Sequence, residues 1–211
     1  MFKAGSLGTL GLLLEISLKV LPLPAEECTL RLSMSEAKAV EMMNRWAGKP
    51  LPISATCFCD SELTVRLSGA TSAVRAARAV LGGEEIAEGS PFWKSIREQA
   101  HPFFRSGKQL WRLSIKSTTA PLSLPGKQLI EWGGALRWLS IDAEMDNEAV
   151  QSLVRKAAKE AGGHVTLFRS PTPAAAVFHP LPPVMMNIHR RLKEKFDPMR
   201  IFNPGRLYPE L

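Results

Sequence analysis

Two glycine-rich stretches stand near opposite ends of the chain, "GSLGTLG" at residues 5–11 and "FNPGR" at residues 202–206. Glycine has no Cβ, so in such runs backbone N–H groups can come close to an anion or a planar ligand. In the second stretch Pro204 presets one turn position, Gly205 is free to take positive φ, and Asn203 supplies an amide that both donates and accepts. Each stretch alone reads as a turn. As a pair they are the first candidates for holding a ligand.

Arg112 in "LWRLSIK" and Arg137 in "ALRWLSI" are the second candidates, because each sits among apolar neighbours in a strand-like segment. A guanidinium in that setting needs a carboxylate or phosphate partner, or must reach solvent along its stem. Binding the carboxylate of a small acid is one reading; a structural ion pair or a solvated sheet face is the other. Trp111, Trp132 and Trp138 fall in the same region and either flank a flat ring or pack a core. His101, His164, His179 and His189 show no spacing that suggests a relay and receive no role. The chain has no His-x-x-x-His, no Gly-x-Ser-x-Gly and no evident carboxylate pair, so nothing supports a hydrolase or a metalloenzyme. A catalytic role would therefore lean on a cofactor. Cys28, Cys57 and Cys59 are odd in number and lack C-x-x-C spacing, which argues against a disulfide framework and for a reducing compartment. On a strand Cys57 and Cys59 would face the same way, as half a metal site or as small buried apolar residues.

The elements that must carry these residues follow from periodicity. "LGLLLEISLKVLP" mixes an apolar run with alternation and reads as a buried strand ended by Pro22 and Pro24. No helix follows the "GSLGTLG" approach directly, so it is neither a Walker loop nor a dinucleotide fingerprint. "CTLRLSM" predicts a strand, then a helix over about Ser35 to Ala47 with Ser33 and Glu36 as a capping box and Val40, Met43 and Ala47 as its apolar stripe. Next come a strand, an Asp60-Ser61 turn, a strand, a helix with Val74, Ala77 and Leu81 inward, a Gly82-Gly83 stop and a short strand. The same order recurs later, with a Gly133-Gly134 turn, a helix carrying Val150, Leu153, Val154, Ala157 and Ala161 on one face, and a Gly162-Gly163 stop. Between the copies lie a helix near "FWKSIREQA" and the strand "LWRLSIK". Two such copies predict an α+β layer of the ferredoxin-like kind, a mixed or antiparallel sheet with helices mostly on one face. A Pro/Ala linker, "SPTPAAAVFHPLPP", leads to a last helix of about Val184 to Phe196. Met185, Ile188, Leu192 and Phe196 are expected on its core face, and Arg190, Arg191, Lys193 and Lys195 on its wet face.

At 211 residues, 45% hydrophobic and 22% charged, the chain can bury a real core in one large or two small domains. Lysine and arginine outnumber acids 27 to 20, which favours anionic partners such as nucleotides, phosphates, carboxylates or an acidic subunit. No basic run is interleaved with aromatics, so specific nucleic-acid binding is not expected. Glu15 and Lys19 interrupt the amino-terminal apolar stretch, which reads as neither a leader nor a membrane span. The expectation is a soluble cytoplasmic protein, at most peripheral to the inner membrane through a complex.

Taken together, the motifs carry a resemblance. "GSLGTLGLLLEISLKVLP" resembles the last segment of the FAD-binding domain of vanillyl-alcohol-oxidase type FAD-linked oxidases, and "LKEKFDPMRIFNPGRLYP" resembles that family's carboxyl-terminal signature. "GKQLIEWGGALRWL", "AGGHV" and "LPIS" are similar to the E-type subunits of bacterial glycolate oxidase (glycolate dehydrogenase). The resemblance implies that FAD is the cofactor, bound by Gly5, Ser6, Gly8, Thr9, Leu10, Gly11 and Asn203. It implies a division into residues 1–24, the end of a PCMH-type FAD-binding domain, residues 25–177, a cap domain, and residues 178–211, a helix and tail returning to the FAD domain. It further implies oxidation of glycolate to glyoxylate with D-type flavoprotein and F-type iron-sulfur partners; Arg112 and Arg137, from their own setting, are the candidates to hold the substrate carboxylate. Family members carry a long amino-terminal half before "GSLGTLG", so the chain reads as a fragment, a truncated product or a mis-assigned start, and weak FAD binding or none is expected of it alone. The competing reading is a non-catalytic assembly module that binds no flavin by itself.

Overall fold

The computed structural model describes residues 4–105, 109–141, 147–171 and 177–211. They fall into two compact units, Leu23–Val177 and a smaller one of Met1–Pro22 with Phe178–Leu211.

In the larger unit the strands are β1 (Glu26–Ser33), β2 (Ile53–Cys59), β3 (Glu62–Gly69), β4 (Glu84–Glu85), β5 (Gln109–Ser114), β6 (Lys127–Glu131), β7 (Leu136–Ile141) and β8 (His164–Arg169). Among the described residues they form one eight-stranded sheet in the order β4-β1-β3-β2-β6-β7-β5-β8. Neighbours pair antiparallel throughout. Counted inward from its own edge, each half of the sheet takes its strands in the sequence fourth, first, third, second, so the repeat read from the sequence is also a repeat in space. The halves meet at β2 and β6 through only two residue pairs, Cys57 with Glu131 and Phe58 with Ile130.

The β2–β3 hairpin turns on Asp60 and Ser61 at φ 48° and 64°, the left-handed pair that a tight hairpin turn of the I′ kind requires. Alternation then sorts the side chains. Leu30, Phe58, Leu63, Val65, Leu67 and Ile130 pack against helices α1 (Glu36–Ala47) and α2 (Thr71–Leu81). In the other half Trp111, Leu113, Leu139, Ile141, Val165 and Leu167 pack against a later helix, Asn147–Glu160. Full burial of such a side chain stabilises by about 1.5–3 kcal/mol. Cys57, Leu110, Leu129, Leu136 and Trp138 point to the opposite face. There Trp93 and Ile96 of α3 (Gly89–Arg97), with Phe103 and Phe104 of a short 3-10 turn, cover part of it. The helices α1, α2 and α4 (Asn147–Glu160) thus lie on one face as expected, and α3 lies on the other.

Local details differ from expectation for traceable reasons. Ser33 is still paired in β1, opposite Glu62, so the cap of α1 is Ser35, extended at φ −70° and accepting from Lys38 N at 3.4 Å. Its buried stripe is Ala39, Val40, Met43 and Trp46; Ala47 lies one position round the helix and is exposed. On α4 the inward residues are Val150, Val154 and Ala158, spaced i, i+4, i+8, while Leu153 is exposed.

In the smaller unit residues 11–22 form no regular element, although their pattern predicts a strand. Leu14, Leu18, Val20 and Leu21 are 89%, 74%, 80% and 87% exposed. A strand needs a ladder partner, and no strand among the described residues pairs with this segment. Helix α5 (Pro183–Phe196) begins with proline at its first turn, where the missing N–H costs nothing. Its expected core residues Met185, Ile188 and Phe196 are exposed, and Lys193, expected on the wet face, is buried instead. Within the Pro/Ala linker, residues 172–176 lie outside the described residues.

Candidate functional site

The smaller unit brings the two glycine-rich stretches together. Residues 5–11 are a coil of tight turns with positive φ at Gly5 (79°), Leu7 (49°), Gly8 (75°) and Gly11 (130°). Thr9 closes it, donating from its backbone N at 3.0 Å and its Oγ1 at 2.8 Å to the Ser6 carbonyl. Ser6, Thr9 and Leu10 are buried, whereas Gly5, Leu7 and Gly8 are exposed. Of the expected cofactor-binding residues, Gly5 and Gly8 therefore offer open backbone, Gly11 is half-buried, and Ser6, Thr9 and Leu10 are turned inward to hold the coil.

Asn203 stands beside this edge. Its Nδ2 donates to the Leu7 carbonyl at 3.1 Å, and its backbone is left-handed at φ 42°. A Cβ on Gly8 would fall 2.8 Å from that same Nδ2, so only glycine admits the amide, while nothing lies within 4 Å of a Cβ on Gly5. An open backbone edge flanked by an anchored carboxamide suits a planar, hydrogen-bonding ligand such as a flavin.

What fixes Asn203 is a buried ion pair that periodicity did not expose. Lys193 Nζ donates to Asp197 Oδ2 at 2.6 Å, to the Thr9 carbonyl at 2.8 Å and to the Phe202 carbonyl at 2.6 Å. Asp197 in turn accepts from Ile201 N at 3.0 Å and Phe202 N at 2.9 Å. Burial pushes the Asp197 carboxyl up, but the Lys193 bond and the two backbone donors outweigh it and hold the group below the usual carboxylate range. The i, i+4 spacing of Lys193 and Asp197, with Pro198 ending the helix, was the sequence signal available.

In the larger unit the two candidate arginines part company. Arg137 on β7 faces the helices and is fully buried. Its Nε donates to Gly134 O at 3.4 Å, its Nη1 to Ala120 O at 3.0 Å and its Nη2 to Thr119 O, with Glu36 Oε1 3.8 Å from Nη1. Arg112 on β5 points to the opposite face, its guanidinium 5.8 Å from the centre of the Trp132 ring. There an open groove of about 1200 Å³ is lined by Arg66, Trp93, Arg112, Glu131, Trp132 and Trp138 among others. The tryptophans also separate: Trp111 is core, Trp132 is exposed, and Trp138 lines the groove side and packs edge-on to Phe168 at 5.0 Å. Glu131, not singled out from the sequence, accepts from Trp138 Nε1 at 2.7 Å. Burial pushes its carboxyl up, against the opposing pull of that bond and of Arg112. Gly133 N donates to Thr56 Oγ1 at 2.9 Å and steadies the turn that carries Trp132. The groove can therefore offer arginines, Arg66 beside Trp93 and Arg112 beside Trp132, to an anion between aromatic walls.

Among the described residues no group of three or more His, Cys, Asp or Glu side chains could hold a metal ion. None of the helices described is long and apolar enough to cross a membrane.

No family model matches the chain. It is 45% identical over 207 residues to glycolate oxidase subunit GlcE of Escherichia coli (strain K12), an alignment covering 98% of this chain and 56% of that protein. The chain thus spans little more than half the length of the curated relative it matches. Along nearly all of its own length, it is similar to a subunit of a glycolate oxidase.

Proposed function

We propose that the chain is part of the FAD-linked subunit of a glycolate oxidase or dehydrogenase, working on a small 2-hydroxy acid with D-type flavoprotein and F-type iron-sulfur partners. The observation that carries this reading is the meeting of residues 5–11 with Asn203 in one edge of open backbone, in a chain 45% identical to a glycolate oxidase subunit. FAD, when bound, would supply the two-electron oxidation of glycolate to glyoxylate. Gly5, Gly8 and Gly11 would give the flavin close backbone approach, Asn203 would give it a hydrogen-bonding amide, and Ser6, Thr9 and Leu10 would hold the coil beneath. Arg112 would hold the substrate carboxylate by a charge-assisted hydrogen bond. Arg137 is left out of that role, because it is fully buried and its Nε, Nη1 and Nη2 each already donate to a backbone carbonyl.

In this reading each half-sheet of the larger unit is ferredoxin-like, supported by the order β4-β1-β3-β2 and its counterpart, and residues 25–177 are a cap. Residues 1–24 and 178–211 belong with a PCMH-type FAD-binding domain. A second reading, an assembly module without flavin of its own, draws on the exposed apolar residues Leu14, Leu18, Val20 and Leu21, which suit contact with another polypeptide.

A flavin titration separates the two. The purified chain and the natural protein in its complex are each titrated with FAD, following flavin fluorescence and the visible spectrum. Quenching with a structured flavin band in the natural protein is the expected result; no binding in either leaves only the assembly reading. Arg112→Ala in the complex is then expected to raise the glycolate KM about tenfold to a hundredfold with assembly intact.

A further inference from the structure

We propose that Lys193 is the positioning residue of the flavin-facing edge, holding Gly8 and Asn203 in register with each other; this rests on the FAD reading above. An ammonium has three donors, and here each has an acceptor in a different segment: Thr9 O, one residue after Gly8; Phe202 O, one residue before Asn203; and Asp197 Oδ2 at the end of its own helix. The side chain reaches this point through the interior, 3% exposed, and Asp197 beside it is 2% exposed. A buried ion pair is weak evidence for stability, since an apolar pair of the same volume often does as well. What an apolar pair cannot do is bind two carbonyls from opposite ends of the chain. The register so set is tight, because a methyl group on Gly8 would already stand 2.8 Å from the Asn203 amide. Asp197 completes the device by using both oxygens on the N–H groups of Ile201 and Phe202, so the segment leading into Asn203 has no freedom to slide.

The test uses the natural protein with FAD as the probe and two variants. Lys193→Arg keeps the charge and the pairing with Asp197 but replaces the compact ammonium with a planar fork that cannot reproduce the three-way geometry. It is expected to keep wild-type amide exchange at Ile201 and Phe202 while raising the FAD dissociation constant about tenfold and shifting the flavin absorption bands. Lys193→Met is expected to raise that constant further and to speed exchange at both amides. An unchanged dissociation constant and spectrum in Lys193→Arg overturns the inference and leaves the FAD reading standing, because flavin is still bound. Wild-type protein that binds no FAD removes the FAD reading, and this inference with it. If Lys193→Met does not fold, Lys193→Arg alone decides.

Discussion

The Asn203 amide nitrogen lies 3.1 Å from the Leu7 carbonyl oxygen, a hydrogen bond between residues 196 positions apart. It is possible only because Gly8, next to Leu7, presents no side chain. Gly8→Ala forces a Cβ to 2.8 Å from that nitrogen at a backbone φ of +75°. The left-handed conformation alone costs about 1–2 kcal/mol for a residue with a Cβ. Gly5→Ala, at φ +79° with nothing within 4 Å, carries the conformational cost without the clash. In urea denaturation Gly8→Ala is expected to be the less stable of the two, and Asn203→Ala is expected to close the gap. Equal midpoints would mean that the amide contact has no energetic role.

Asp197 sets an acid limit on the smaller unit. Its folded-state carboxyl is held below the ordinary value, so the stability it contributes is present above the unfolded pKa of about 3.9 and is lost as pH falls through the folded value. Asp197→Asn should therefore melt well below the wild type at pH 7, with the two curves converging in acid. Melting temperatures taken from pH 7 down to 3 check the convergence; a constant gap would contradict it.

Glu131 has the opposite sign. Burial raises its carboxyl, so its contribution is fully present below the unfolded pKa of about 4.3 and is lost as pH rises through the folded value. Glutamine keeps an oxygen for Trp138 Nε1 without the charge. Glu131→Gln is expected to match the wild type at pH 4 and to be at least as stable at pH 7, read from urea midpoints by tryptophan fluorescence.

The arginines should separate cleanly in stability. Arg137→Ala leaves Glu36 and the Thr119 and Ala120 carbonyls without their buried cation, a loss of about 3–5 kcal/mol. Arg112→Ala empties a place in an open groove and is expected to stay within about 1 kcal/mol of the wild type. Chemical denaturation of both variants gives the ranking, and a reversed order would exchange their roles.

Thiol chemistry reports on the α3 face. Cys59 is pushed up to about 12, first by burial and then by Asp60, and burial pushes Cys57 well up too. Both thiols are therefore expected to stay protonated at pH 8 in the folded protein. Labelling with a thiol-disulfide reagent should miss both until guanidinium unfolds the chain, and rapid native labelling at either position would show that this face opens.

How far the sequence carried depended on whether a feature was local. The Asp60-Ser61 turn, the Gly82-Gly83 and Gly162-Gly163 stops and the doubled order of strands were legible, because turn chemistry and periodicity act within a few residues. Lys193 was misread because helix periodicity ranks a lysine by its own polarity. Its burial is decided by three oxygens, two of them on segments that the helix pattern does not contain. Residues 11–22 were misread for the converse reason: alternation records which faces a strand would have and cannot supply the neighbour that makes it one. Arg112 and Arg137 looked alike in sequence, each in an apolar run, and only their opposite pleats told the groove side from the helix side.

The junction of the two half-sheets is a short ladder crossed by braces. A ladder of two residue pairs resists bending less than the longer ladders on either side of it, so any bending of the larger unit is expected to concentrate between Cys57–Phe58 and Ile130–Glu131. Three braces cross that line: Thr56 to Gly133, Asn44 to Ser117 and Glu36 to Arg137. The first braces the turn that carries Trp132, and Glu131 itself sits in the short ladder. Flexing of the sheet there would widen or narrow the groove beside Arg112 and Trp132, tying the groove's width to the pairing of the whole layer.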